Sequence, residues 1–224
     1  MQFSRVRRML VLAGSMLLFA TAPAWANAIS FVILDTSALS VQSSSYSIYF
    51  QLTDGSGDAN NTVTLSNFSF GGGHAIAPAQ LSGGASGDLS SAVTLSDTAF
   101  FNAVVQVFSP GSQLLFRLDL TANIDSGSVS DFFAMSVLDG NGSEIPTLDS
   151  SGLNTLLSVT FDSPLDIQTY ATDSSTPTTN GDYITMGAPV LAPLAGPSSV
   201  PEPATFLLLG TSLAAVIVMS RRRI

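Results

Sequence analysis

The chain has no cysteine and no lysine, one histidine and one tryptophan, and only 10% of its 224 residues are charged. Without cysteine there is no disulfide, no thiolate nucleophile and no sulfur ligand for a metal. His74 is the single candidate base for a nucleophilic triad. It follows Gly71, Gly72 and Gly73 in what reads as a flexible loop, a poor place for a preorganised group. Zinc is short of nitrogen and sulfur ligands for the same reason. Glutamate is nearly absent too, with only Glu144 and Glu202, and the many aspartates are explained by solubility before any glycosidase-like carboxylate pair is needed. The expectation is a protein that is not an enzyme and has no resident cofactor.

Positive charge is scarce and displaced to the extremities. All seven basic residues are arginine: Arg5, Arg7 and Arg8 at one end, Arg221, Arg222 and Arg223 at the other, and Arg117 alone between them. All sixteen acids lie from Asp35 to Glu202. A body of that charge repels phosphate backbones and anionic headgroups, which argues against nucleic acid as a partner and leaves cations, neutral glycans and basic partners compatible.

Residues 1–26 have the three parts of an export signal: the positive Arg5 to Arg8 stretch, the apolar run Met9 to Ala20, and the small-x-small site Ala24-Trp25-Ala26 before Asn27. Cleavage after Ala28 fits almost as well. The apolar run is short for a bilayer span, so signal peptidase and the general secretion machinery are the expected first partners. Trp25, the only tryptophan, is lost with the signal.

At the other end Ala204 to Ser220 is uncharged, and Arg221, Arg222 and Arg223 follow. As a helix this segment reaches about 25 Å, just short of a hydrocarbon core, and snorkelling arginines make up the difference. The arginines hold that end in the cytoplasm, so this transmembrane helix and the export signal give one topology, with the body outside. Val200-Pro201-Glu202-Pro203 stands before it, with Pro203 suited to the first helical turn and Glu202 facing the positive end of the helix dipole. Pro-Glu-Pro, an apolar helix and a closing arginine cluster together resemble the PEP-CTERM sorting signal of Gram-negative, biofilm-forming bacteria. The resemblance implies recognition by an exosortase, a membrane transpeptidase-like enzyme, and removal of the tail near Pro201-Glu202-Pro203. Residues 200–224 are accordingly read as a sorting tail.

Between Ile29 and Tyr170 apolar residues recur with period two. Leu114, Phe116, Leu118 and Leu120 alternate with Leu115, Arg117 and Asp119, and Tyr46, Ile48, Phe50 and Leu52 with Ser47, Tyr49 and Gln51. Further strands are expected at Phe31 to Leu34, Thr62 to Phe70, Ala92 to Leu95, Phe101 to Val107, Phe132 to Leu138, Leu156 to Phe161 and Ile167 to Tyr170. A bulge is expected near Ser66 and Asn67, where the apolar parity shifts. Ser109-Pro110-Gly111-Ser112 has the residues of a type II turn and predicts a hairpin joining the Phe101 and Leu114 strands. The class expected for residues 27–170 is all-β, an antiparallel β-sandwich of jelly-roll type. Residues 171–199, rich in Thr, Ser, Pro, Gly and Ala, read as an extended tether, with Tyr183 to Met186 as one conceivable last edge strand.

The central region also resembles a group of PEP-CTERM proteins of unassigned function, through Phe31-Val-Ile-Leu-Asp-Thr-Ser-Ala-Leu39, Tyr49-Phe-Gln-Leu52 and Asn67-Phe-Ser-Phe-Gly-Gly-Gly73. That resemblance implies no activity. Asp54 and Asp58 in one loop, and Asp139 and Asn141 in another, are candidate calcium ligands, although neither loop completes an EF-hand and metal-free Asx turns explain both. Tyr49 is predicted outward and is a candidate aromatic contact for a glycan. The expected function is a non-enzymatic surface or matrix protein sorted by exosortase. The alternative is a lectin-like module for extracellular polysaccharide, with or without calcium.

Overall fold

A computed structural model describes residues 28–42, 45–121, 123, 129–162 and 164–193. The export signal with Ala24 and Ala26, and the tail with Val200, Pro201, Glu202, Pro203, Arg221, Arg222 and Arg223, lie outside the described residues.

The described residues are all-β, with one helical turn at Ser37–Ser40. Thirteen strands follow in chain order: β1 (Ala28–Asp35), β2 (Tyr46–Thr53), β3 (Thr62–Ser69), β4 (His74–Ala75), β5 (Gln80–Ser82), β6 (Ala85–Asp88), β7 (Ala92–Ser96), β8 (Phe101–Ser109), β9 (Gln113–Leu120), β10 (Phe132–Leu138), β11 (Leu157–Thr160), β12 (Asp166–Thr169) and β13 (Val190–Pro193). They form two antiparallel sheets. One runs β13-β1-β9-β3-β7-β6, the other β12-β11-β10-β2-β8-β4, with β5 also pairing β8.

Alternation in sequence becomes alternation in burial. Along β2 every second residue from Tyr46 to Leu52 is buried, and β9 repeats the pattern from Leu114 to Leu120. The inward residues of the two sheets meet directly. Phe50 of β2 lies edge-on to Phe116 of β9 at 5.4 Å and to Phe68 of β3 at 5.9 Å, and stacks with Phe133 of its own sheet at 6.3 Å. Phe50, Phe116 and Phe133, fully withdrawn from water, contribute roughly 1.5–3 kcal/mol each. The expected bulge is present: the β3–β9 register shifts between Ser66 and Ser69, and Asn67 takes a positive φ of 54°.

Two expectations are corrected. Strands β8 and β9 do not form a hairpin, because β8 pairs with β2 and β9 with β1 and β3, in different sheets. Turn chemistry sets a local bend, whereas the apolar face of each strand decides which sheet it completes. The connection instead packs against the Gly71 to Gly73 turn. A Cβ on Gly73 would lie 2.0 Å from Ser109 O, and one on Gly111 2.2 Å from Phe70 O, so this approach demands glycine on both sides.

The second correction concerns the tether. Ile184 and Met186 are buried in the core, and Thr172 Oγ1 donates to Ile184 O at 2.8 Å and accepts from Met186 N at 2.7 Å. The closing strand is β13, antiparallel to β1, and not Tyr183 to Met186. Residues 171–193 therefore belong to the folded body. Pro193 is tolerated within β13 because β13 is an edge strand.

Candidate functional site

Strand register places the candidate residues at two opposite ends of the body. Thr53 pairs with Phe132 and Ser47 with Leu138, so the Asp54 loop and Asp131 share one end while Asp139 occupies the other. The calcium candidates are thus split. Asp54 Oδ1 accepts from Gly57 N at 2.6 Å, and exposed Asp58 accepts from Ser56 Oγ at 2.8 Å and Asn60 Nδ2 at 3.1 Å. Asp139 Oδ1 accepts from Asn141 N at 2.9 Å and Ser143 N at 3.0 Å, and its Oδ2 accepts from Thr179 Oγ1. Both are turns closed by carboxylates. Among the described residues, no three His, Cys, Asp or Glu side chains come together as a metal site.

The Asp54 end holds a buried network that the sequence reading missed. Asn61, 1% exposed, is its hub. Its Nδ2 donates to Asp131 Oδ2 at 2.9 Å and to Asn123 O at 3.1 Å, and its Oδ1 accepts from Thr121 Oγ1 at 3.0 Å and Asn123 N at 3.1 Å. Asp97 Oδ2 accepts from Asn60 N at 3.0 Å and Asn61 N at 2.6 Å, while Asp131 Oδ1 accepts from Gly55 N at 2.8 Å. Three segments are tied together in this way: residues 54–61, Asp97, and the described residues Thr121, Asn123 and Asp131. Burial pushes the Asp131 carboxyl up, the neighbouring Asp97 adds to this, and the bonds from Gly55 and Asn61 oppose it. At the far end burial also works to raise Asp139, but the bonds from Thr179, Ser143 and Asn141 outweigh it and the carboxyl is lowered.

Tyr49 stands half-buried on the outer face of β2, its hydroxyl donating to Gln51 Oε1, and Gln51 Nε2 donates on to Thr53 Oγ1 at 2.8 Å. Burial raises the Tyr49 phenol and the charge of Glu144 raises it further. His74 is exposed in β4, which pairs with the end of β8, and no acid–base partner among the described residues reaches it. Arg117, the only cation among the described residues, is taken by Asp119 in a two-pronged pair at 2.6 and 2.8 Å.

A cleft of about 220 Å³ opens beside the Phe68 and Phe70 rings, with Gln106 on one wall and Asp88 and Ser90 at its rim. Gln106 belongs to the inward face of β8, in register with Ile48 of β2, and its signal in the sequence is a polar residue at a core-parity position.

Residues 199–223 match the PEP-CTERM protein-sorting motif. The match takes in Val200 to Pro203 and Arg221 to Arg223, so the chain carries a PEP-CTERM sorting signal, which supports export, a membrane-held sorting intermediate and an exosortase as processing partner. No curated protein and no solved structure matches the chain.

Proposed function

We propose that this is a non-enzymatic surface or extracellular-matrix protein of a Gram-negative bacterium. It is exported, held in the inner membrane by its C-terminal helix, and cut by exosortase at Val200-Pro201-Glu202-Pro203. The observation that carries the reading is the sorting-motif match at residues 199–223. The body suits that destination as a β-sandwich of jelly-roll kind, cysteine-free, with fifteen acids against one arginine that keep neighbouring copies apart. Replacing Pro201, Glu202 and Pro203 together with alanine tests it. The variant is expected to accumulate in the inner-membrane fraction, and delivery to the surface in wild-type amount sinks the proposal.

A second reading, a module binding extracellular polysaccharide, draws on the cleft beside Phe68 and Phe70, because half-buried rings next to polar side chains suit sugar recognition. Binding that disappears with a chelator would add calcium to that reading.

A further inference from the structure

The inward face of β8 carries two buried amides, and they differ in one atom. Asn102 has its polar groups matched: Nδ2 donates to Leu52 O at 3.1 Å and Ala99 O at 2.6 Å, and Oδ1 accepts from Gly84 N at 2.7 Å. Gln106 is 2% exposed. Its Nε2 donates to Ala77 O at 2.6 Å and Val107 O at 2.7 Å, which fixes the amide plane, yet no donor among the described residues reaches Oε1. That oxygen is open to the cleft, where water satisfies it, so a donor on a bound molecule can take the place of the water.

The rest of the wall defines what that donor belongs to. Asp88 Oδ1 accepts from Ser90 N at 2.7 Å, and the exposed carboxylate stands at the rim as a further acceptor. Leu89 is buried below, and the half-buried Phe70 ring continues into the core through Phe68 at 6.3 Å and Phe108 at 5.6 Å. The occupant must therefore carry O–H or N–H donors at its edge and an apolar face. A carboxylate or sulfate on it would meet Asp88 and the acidic body. Clefts enclosing drug-sized ligands run to roughly 300–1,000 Å³, so a volume of about 220 Å³ admits a single ring.

We propose that this cleft holds one pyranose residue of an uncharged glycan. One ring hydroxyl donates to Gln106 Oε1 and another to Asp88, and the C–H face lies on Phe70. The inference rests on the polysaccharide reading above and leaves the sorting reading untouched.

The test uses the full mature chain on an array of neutral gluco-, galacto- and manno-oligosaccharides, with oligo-alginate as the acidic arm. Two rim variants spare the core: Ala77→Phe, an exposed position whose new ring fills the mouth, and Asp88→Asn. The wild type binds a neutral oligosaccharide and ignores oligo-alginate. Ala77→Phe weakens binding about tenfold or more, or roughly 1.4 kcal/mol, and Asp88→Asn weakens it several-fold, both with unchanged circular dichroism. No neutral oligosaccharide bound by the wild type overturns both the cleft assignment and the polysaccharide reading. Binding that survives both variants overturns the cleft assignment alone, and equal binding of oligo-alginate overturns the argument from its acceptor-rich wall.

Discussion

The two ends of the body treat buried aspartates in opposite ways. At the far end Asp139, 3% exposed, is surrounded by donors, and its carboxyl is held below the usual range despite burial. In the Asp54 end Asp131, fully buried, has donors from Gly55 and Asn61 but also faces Asp97, and its carboxyl is held above that range. Burial alone therefore does not decide the sign; the ratio of donors to neighbouring acids does. Asp149 in the β10–β11 connection sides with Asp139. Burial pushes it up, but the bonds from Thr155, at 2.6 Å, and Ser151 bring it down.

The strongest blow to this contrast is at the hub. Asn61→Ala leaves Asp131, Thr121 and Asn123 without their shared partner, and urea unfolding should show a loss of about 4 kcal/mol, several buried groups at ~1–3 kcal/mol each. A loss below 1 kcal/mol would mean the three segments are not stitched through it. Next comes Asp139→Ala, which strands the N–H groups of Asn141 and Ser143 and is expected to cost about 3 kcal/mol. Thr155→Ala removes one bond to a buried carboxylate and should cost about 1–2 kcal/mol by the same measure.

Asp131→Asn sharpens the comparison through its pH dependence. A carboxyl raised in the folded state binds more protons there than when unfolded, so its contribution falls as pH rises from about 4 through the raised value. The variant should melt a few degrees above wild type at pH 7 and show no gain at pH 4. Asp139 and Asp149 contribute in the other direction: their stabilisation is present above about pH 4 and lost as pH falls through their lowered values. An Asp131→Asn variant with the wild-type melting profile at every pH would remove the distinction between the ends.

Strands with one clean apolar face were legible in the sequence. In β2 and β9 the alternation alone places Phe50 and Phe116 in the core. The bulge at Asn67 was legible as a break in that parity. Strands β4, β5 and β6 were not, because residues 74–88 are mostly small, polar and exposed and carry no period. Nor was β13, where proline and small residues read as tether until β1 offers an edge to pair with. The buried acids were illegible for another reason: Asp97 and Asp131 come together only once three segments converge on Asn61, and nothing local announces it. The sorting signal needs no fold to be read, since three contiguous segments spell it.

Intact mass of the protein, recovered from its host with and without the exosortase, tests the central claim most directly. The account predicts a chain shortened near Pro201-Glu202-Pro203 and lacking Arg221 to Arg223 only where the exosortase is present. The same arginine-ended chain from both hosts would contradict it.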